Sequence, residues 1–228
     1  MVIFTKKYYF WFAFIIVVLI SCKNNNKNVN VQTSEIEQDS IIVDCNYTFE
    51  QAIAGSHAPQ KIIDQLTLID VTYYSTDNKL HRGQLLLNKK IADDIAQIFE
   101  FIKEQKFPVQ SVVPIVKYGW NDVLSMEDNN TSAFCYRNVS YSFHAQGLAV
   151  DINPRQNPVV YKFGKRIEPK NGIYQKEING TFTAKHPVVL KFRELGFRWG
   201  GNFSKKYDYH HFEKGTSKVR PQPKSDNE

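Results

Sequence analysis

The sequence has no dense cluster of lysine and arginine residues and no internal repeat. Its 228 residues include 29 Lys and Arg against 23 Asp and Glu. Removal of an N-terminal segment that contains Lys6 and Lys7 would leave 27 basic against 23 acidic residues, a net charge of +4. Nucleic-acid-binding proteins concentrate positive charge on one surface, so we expect no nucleic-acid partner. A mildly basic protein is compatible with an anionic polymer such as cell wall.

The N-terminal apolar run is short for a membrane span. It covers residues 8–20, whereas a stable span needs about 20 apolar residues. A basic start, an apolar centre and small residues at the end are typical of a secretory signal peptide, which we predict at residues 1–21. The cysteine behind Leu19-Ile20-Ser21 resembles a bacterial lipobox, which predicts a lipid on Cys22 and attachment to a membrane of the bacterial cell envelope. An uncleaved membrane anchor is the alternative.

Cysteine is scarce, with three residues in the whole chain. If Cys22 is lipidated, Cys45 and Cys135 remain as a pair in an oxidising compartment. The sequence leaves open whether they form a disulfide or stay as two separate buried thiols, because it does not give the distance between them.

Composition divides the chain into three parts after the signal peptide. Residues 22–40 are polar, cannot bury a core and are predicted to form a flexible tether. Residues 41–218 have the length of one domain, and residues 219–228 are a polar tail. The domain is therefore where the fold and the site are expected.

The first half of the domain contains a predicted hairpin and helix. Residues 66–74 and 83–87 are rich in β-branched and apolar residues and flank a polar turn at 75–78, which predicts a hairpin. Asn88 can cap a helix whose apolar residues follow at helical spacing. Pro187 is predicted to begin a second helix.

Shorter elements complete the predicted fold. Strands are predicted at 112–116 and 148–152, and loops or a small hairpin at 154–183. The sum predicts an α+β domain in which helices pack on one side of a small antiparallel sheet. The candidate site is expected in a cleft on that sheet.

Two short motifs carry ionisable side chains in a pattern suited to zinc. They are Ser142-Phe143-His144-Ala145-Gln146-Gly147-Leu148-Ala149-Val150-Asp151 and Asp208-Tyr209-His210-His211-Phe212-Glu213. A catalytic zinc ion needs three protein ligands, an open position for water and a nearby general base. His144, Asp151 and His211 can supply the ligands, and Asp151 among apolar neighbours needs a cation beside it. The motifs therefore predict a hydrolytic zinc site.

The paired pattern resembles the D-alanyl-D-alanine carboxypeptidase family of zinc peptidases. Relatives in that family include vancomycin-resistance D,D-peptidases and L-alanyl-D-glutamate endolysins of phages. The resemblance covers about residues 60–215 and includes Arg137, Asp151-Ile152-Asn153-Pro154 and Gly196-Phe197-Arg198-Trp199-Gly200-Gly201. It implies a carboxypeptidase-like core, zinc as the cofactor and peptidoglycan peptides as substrates. We expect the protein to act as a monomer.

The resemblance also implies roles for four further residues. Asp208 corresponds to the catalytic acid, which would take a proton from the attacking water and pass it to the leaving amine. Arg137 corresponds to an arginine near the substrate, where it can hold a carboxylate or the oxyanion. Ser142 is a predicted substrate contact, with orientation of His144 or the shape of the turn as alternatives. Trp199 is another predicted substrate contact, with packing on the core as the alternative.

Two residues beside the second ligand histidine remain less defined. Glu213 is a rival base, which we rank as an outer or structural residue. His210 is predicted to point away from the metal, because neighbouring residues of a strand face opposite sides. The sequence thus predicts a D-Ala-D-Ala carboxypeptidase of the cell envelope. The alternatives are cleavage of L-Ala–D-Glu or of cross-bridges, and a non-catalytic wall-binding module stabilised by zinc.

Overall fold

The computed structural model describes residues 40–139, 141–164 and 166–215. The predicted signal peptide, Cys22, the tail at 219–228 and all but the last residue of the predicted tether lie outside the described residues. Within the described ranges, no helix is long and apolar enough to cross a lipid bilayer.

The described residues form eleven strands. They are β1 (Ile42–Val43), β2 (Leu66–Tyr74), β3 (Leu80–Asn88), β4 (Ser111–Val112), β5 (Asn130–Thr131), β6 (Ala149–Asp151), β7 (Val159–Tyr161), β8 (Ile167–Glu168), β9 (Arg198–Trp199), β10 (Lys206–Asp208) and β11 (His211–Glu213). β2 and β3 have nine residues each, and the others have two or three. Strands this short depend on packing against the rest of the domain for their stability.

The described residues also form five α-helices and four 3₁₀ turns. The helices are α1 (Phe49–Ile53), α2 (Gln60–Ile63), α3 (Ala92–Glu104), α4 (Asp122–Glu127) and α5 (Pro187–Glu194). The 3₁₀ turns cover Lys89–Ile91, Ile115–Tyr118, His144–Gln146 and Gly200–Asn202. As predicted, Asn88 caps the first turn, which leads into α3, and Pro187 begins α5.

The hydrophobic core lies between the β2–β3 hairpin and helices α3 and α5. The buried face of α3 consists of Ile95, Ile98, Phe99 and Ile102, at the spacing of one side of a helix. Burial of each side chain contributes about 1.5–3 kcal/mol. The hairpin and the helix predicted from periodicity are therefore confirmed. The same buried core also supports the elements that carry the site.

The α+β class is confirmed, with the β-structure spread over small sheets. The strand orders are β1-β3-β2, β10-β7-β8 and β6-β11-β9, with β4 and β5 as a separate pair. β1–β3 and β4–β5 are parallel, whereas the pairs that carry the candidate ligands are antiparallel. The predicted small hairpin after Pro154 is present as β7 and β8. Its strand β7 also pairs with β10, which places the hairpin beside the site.

Two further expectations are resolved by the fold. The strand predicted at 112–116 is only β4, since Pro114 has no N–H to continue a ladder and a 3₁₀ turn begins at Ile115. Cys45 and Cys135 are both free thiols. The sequence left two alternatives open, a disulfide or separate thiols, and the structure shows separate thiols.

One buried histidine of the hairpin lies between two carboxylates. His81 Nδ1 is 2.9 Å from Asp44 Oδ1, and His81 Nε2 is 3.3 Å from a carboxylate oxygen of Asp77. Tyr73 also donates its hydroxyl hydrogen to Asp44. Burial lowers the pKa of His81, but the two carboxylates outweigh burial and raise the pKa above its usual value.

We expect His81→Gln to lower the free energy of unfolding by about 1–2 kcal/mol at about pH 5.5, because glutamine cannot carry the proton that both carboxylates attract. Since the folded-state pKa is raised, this contribution is fully present below the unfolded-state value of about 6.5 and is lost as the pH rises through the folded-state pKa. Urea unfolding at acidic and alkaline pH measures the difference.

The exposed His57 has no polar partner within the described ranges, so His57→Gln is the matched control. An equal loss of stability for His81→Gln at acidic and at alkaline pH would contradict the assignment.

Candidate metal centre

A tight turn positions the first histidine of the site. The 3₁₀ turn His144–Gln146 ends at Gly147, whose φ of +66° favours glycine. An added Cβ at Gly147 would also lie 2.8 Å from the backbone nitrogen of Asn88, so the turn packs directly on the end of β3. Nδ1 of His144 lies 2.6 Å from the Ala133 carbonyl oxygen. This contact fixes the ring and leaves Nε2 facing the site.

Strand pairing positions the other two candidate ligands. β6 and β11 are antiparallel, and their register places His211 opposite Asp151. Residues opposite each other in such a pair have side chains on the same face. Phe212, the next residue, faces the other way, is fully buried and stacks on Phe192 with ring centroids 3.8 Å apart. β11 therefore carries both a candidate ligand, His211, and a core residue, Phe212.

The three candidate ligands meet at one point. His144 Nε2 is 3.0 Å from His211 Nδ1 and 3.2 Å from Asp151 Oδ1. His211 Nδ1 is 2.9 Å from the same Asp151 oxygen. A tetrahedral zinc ion with bonds of about 2.0–2.1 Å holds its ligand atoms about 3.3 Å apart. The observed triangle is close to that size.

Each of the two histidines has a hydrogen-bond partner on the side of its ring away from the site. These partners determine which ring nitrogens direct a lone pair toward the site. The Ala133 carbonyl accepts from His144 Nδ1, and a Glu213 oxygen lies 3.1 Å from His211 Nε2. In neutral rings the hydrogens therefore lie on these outer atoms. Two nitrogen lone pairs and a carboxylate oxygen then converge, and they repel one another unless a cation or a proton lies between them. The donor set fits a divalent metal ion, with Glu213 and Ala133 as the orienting partners such ligands need.

The electrostatics of the buried ligands also favour positive charge at this point. Burial raises the pKa of Asp151, but His144 and His210 outweigh it and hold the pKa well below its usual range. Burial lowers the pKa of His211, but its hydrogen bonds with Asp151 and Glu213 outweigh burial and raise the pKa to about 10. A metal ion would supply the charge that a proton supplies in its absence.

Asp208 lies beside the ligands in the wall of the same cavity, which measures about 460 Å³. Lys206 Nζ is 2.8 Å from Asp208 Oδ2, and His210 Nε2 is 3.0 Å from Asp208 Oδ1. The Oδ1 contact is close enough for an ion pair, yet no described residue donates a hydrogen bond of ordinary geometry to this buried oxygen. Burial raises the pKa of Asp208, but His210 outweighs it and lowers the pKa below its usual value. Asp208 is thus an ionised carboxylate with one oxygen available as a proton acceptor.

His210 corrects one prediction. It was expected to point away from the metal and not to be a ligand. Its Nε2 instead faces the carboxylates of Asp208, at 3.0 Å, and Asp151, at 3.7 Å, although His210 is not part of the group of candidate ligands. The reason is local: His210 lies in the turn between β10 and β11, so the alternation of a strand does not apply. Its Nδ1 lies 2.8 Å from the Asn157 carbonyl oxygen, which holds the ring in place.

Arg137 and Ser142 lie at the same cavity, in different roles. Arg137 is exposed at its rim and forms an ion pair with Asp122 at 3.1 Å. Ser142 Oγ accepts a hydrogen bond from the backbone N–H of Ala145 at 3.2 Å. Ser142 therefore stabilises the turn that carries His144, which was one of the alternatives for this residue, while its position in the cavity wall keeps a substrate contact open.

Trp199 does not lie where it was predicted, in the wall of the substrate pocket. It is buried in the core, donates its indole hydrogen to the Tyr209 carbonyl at 2.8 Å and is not among the residues that line the cavity. The predicted substrate contact is therefore corrected to a packing role. Burial of this large aromatic side chain is favourable because its indole N–H keeps a hydrogen-bond partner.

Sequence reasoning missed Lys206. On β10 it lies two residues before Asp208, so both side chains share a face of the strand. Burial lowers the pKa of Lys206, but Asp208 outweighs burial and raises the pKa. The sequence did contain a signal for this pair, because residues two positions apart on a strand point to the same face.

Comparison with known proteins finds one family model that matches part of the chain. A family model described as D-alanyl-D-alanine carboxypeptidase matches residues 137–214, the segment that contains Arg137, all three candidate ligands and Asp208. No curated protein and no solved structure matches the chain. The matched segment contains the converging His-Asp-His cluster, and over residues 137–214 the chain is similar to peptidases of the D-alanyl-D-alanine carboxypeptidase kind.

Proposed function

We propose that this protein is a zinc-dependent peptidase of the bacterial cell envelope that removes the terminal D-Ala from peptidoglycan stem peptides. The observation that carries the proposal is the triangle of His144, Asp151 and His211 beside an ionised Asp208 in one cavity. A purely structural zinc site closes its fourth position with another protein ligand. Here the groups beside the three ligands are a proton acceptor, Asp208, and the cationic partners of Asp208. This arrangement suits catalysis.

His144, Asp151 and His211 would hold the metal, with Glu213 and the Ala133 carbonyl orienting the two rings. Zinc bound there would polarise the scissile carbonyl and lower the pKa of the attacking water. Asp208 accepts a proton from that water at Oδ1 and transfers it to the leaving amine. Lys206 and His210 keep Asp208 ionised before the reaction and stabilise its position in the cavity wall.

Arg137 supplies the group that binds substrate charge. Its guanidinium is about half exposed and pairs with the partly exposed Asp122. An exposed ion pair of this kind contributes little free energy, so a substrate carboxylate can replace or share Asp122 at small cost. We propose that Arg137 holds a substrate carboxylate at the rim of the cavity.

The test is incubation of the purified full chain with muropeptides, followed by mass spectrometry. Loss of one terminal D-Ala is expected, and a chelated sample supplies the control. Cleavage between L-Ala and D-Glu, or of cross-bridges, would replace the carboxypeptidase assignment with an endopeptidase one. Binding of muropeptides with no cleavage at any bond would support the wall-binding module.

We also propose that the protein is anchored through a lipid on Cys22, which supports its action on the cell wall. Cys22→Ser is expected to release the protein from membranes or to leave its precursor unprocessed, because the lipid acceptor is lost. Membrane fractionation with mass measurement of the N-terminus checks the result. Unchanged membrane partitioning with residues 1–21 still attached would indicate a transmembrane anchor instead.

A further inference from the structure

A second cavity of about 400 Å³ is lined in part by Ala145 and Gln146 of the turn that carries His144. We call it the Lys61 cavity, since Lys61 and Gln65 line it together with Tyr136, Asn138 and Gln146. Arg137 and Val139 line both this cavity and the one that contains the metal ligands. The two spaces therefore meet at Arg137, at the rim where substrate charge is expected to bind.

The two cavities carry opposite charge. The metal cavity is lined by five carboxylates against two side chains that are always cationic, Arg137 and Lys206. Among the described residues, the Lys61 cavity is lined by two cations, Lys61 and Arg137, and by no aspartate or glutamate. A cation is thus favoured in the first space and an anion in the second.

Three polar groups of the Lys61 cavity are available to a ligand. Within the part of the chain that the structure describes, neither the Lys61 ammonium nor the Asn138 amide has a polar partner, and the Tyr136 hydroxyl has none either. Each can donate a hydrogen bond to a carboxylate oxygen. A charge-assisted bond from Lys61 would be the strongest of these.

We propose that the Lys61 cavity is a second substrate subsite that binds a peptide carboxylate several bonds away from the scissile amide. This inference rests on the proposed peptidase function, and it specifies the substrate as an extended peptide with more than one carboxylate. The peptide passes from the metal cavity over Arg137 and Val139 and places its second carboxylate on Lys61. Lys61 and Gln65 precede the segment matched by the family model, so this subsite belongs to the N-terminal part of the domain.

The test compares two pentapeptides that end in D-Ala-D-Ala. One carries free carboxylates upstream of the scissile bond, and in the other these groups are carboxamides. Both are also made with the scissile amide replaced by an uncleavable methyleneamine, so that calorimetry measures affinity whether or not the protein hydrolyses peptides. The variants of the full chain are Lys61→Gln, Lys61→Arg and, as matched control, Lys90→Gln at an exposed lysine outside both cavities.

Lys61→Gln is expected to bind the carboxylate peptide about tenfold more weakly and the carboxamide peptide as well as the unchanged protein does. Lys61→Arg and Lys90→Gln are expected to keep wild-type affinity for both. Equal effects of Lys61→Gln on the two peptides, or no binding of the carboxylate peptide by wild type, would overturn the subsite. Binding with the expected pattern but no hydrolysis by wild type would overturn the proposed peptidase function and leave the subsite standing.

Discussion

His211→Ala is expected to abolish zinc binding and peptide hydrolysis together. The substitution removes one of three ligand atoms that lie 2.9–3.2 Å from one another and leaves Glu213 without the ring that it orients. A site that keeps one histidine and one carboxylate does not retain a catalytic zinc ion through purification. Elemental analysis after gel filtration gives the metal content, and D-Ala release gives the activity.

Two comparisons make this experiment specific. His57→Ala changes an exposed histidine and should keep both metal and activity. His210→Ala should keep the metal, because His210 Nε2 lies 3.7 Å from Asp151 Oδ2, outside the ligand triangle. A His211→Ala protein that still carries one zinc ion per chain would show that the metal site has been assigned to the wrong residues.

Asp208→Asn is expected to keep the metal while hydrolysis falls on the order of 10²–10⁴-fold, the usual contribution of a positioned acid–base group. The amide has nearly the shape of the carboxylate but cannot accept a proton at Oδ1, the oxygen that lacks a hydrogen bond. Steady-state rates on the same stem peptide, with zinc content and thermal unfolding measured in parallel, separate a catalytic loss from a loss of structure.

Glu168→Gln is the matched control for Asp208→Asn, since Glu168 also lines the metal cavity but is held by Tyr161 and Arg166. We expect its activity to stay close to that of wild type, because the proposed reaction gives Glu168 no role. If Asp208→Asn hydrolyses the peptide as fast as wild type, Asp208 is not the base and Glu213 becomes the next candidate.

The parts of the fold predicted from the sequence were those set by local rules. The β2–β3 hairpin follows from alternation and a polar turn, and α3 follows from helical spacing behind Asn88. Positions that depend on long-range packing were less accessible. The several small sheets are joined by pairings that no local pattern encodes. The early end of the strand predicted at 112–116 has a different reason, because Pro114 lacks an N–H and is itself visible in the sequence.

The site shows the same division. His144, Asp151 and His211 could be predicted together because the spacing within each motif is fixed. The register of β6 and β11 then places His211 opposite Asp151. The direction of His210 and the burial of Trp199 could not, since the first depends on where a turn begins and the second on which side of β9 faces the core.

The stacking of Phe212 on Phe192 has a consequence for which metals the site can select. Because β11 is held by the core through Phe212, His211 cannot retreat from Asp151 without disturbing the aromatic stack. Close-packed interiors resist such movement. A large ion such as Ca²⁺, which takes six to eight oxygen ligands at about 2.3–2.6 Å, would need that movement, whereas small ions that prefer nitrogen would not. In the proposed site, discrimination between metals would thus depend on the aromatic core as much as on the ligands.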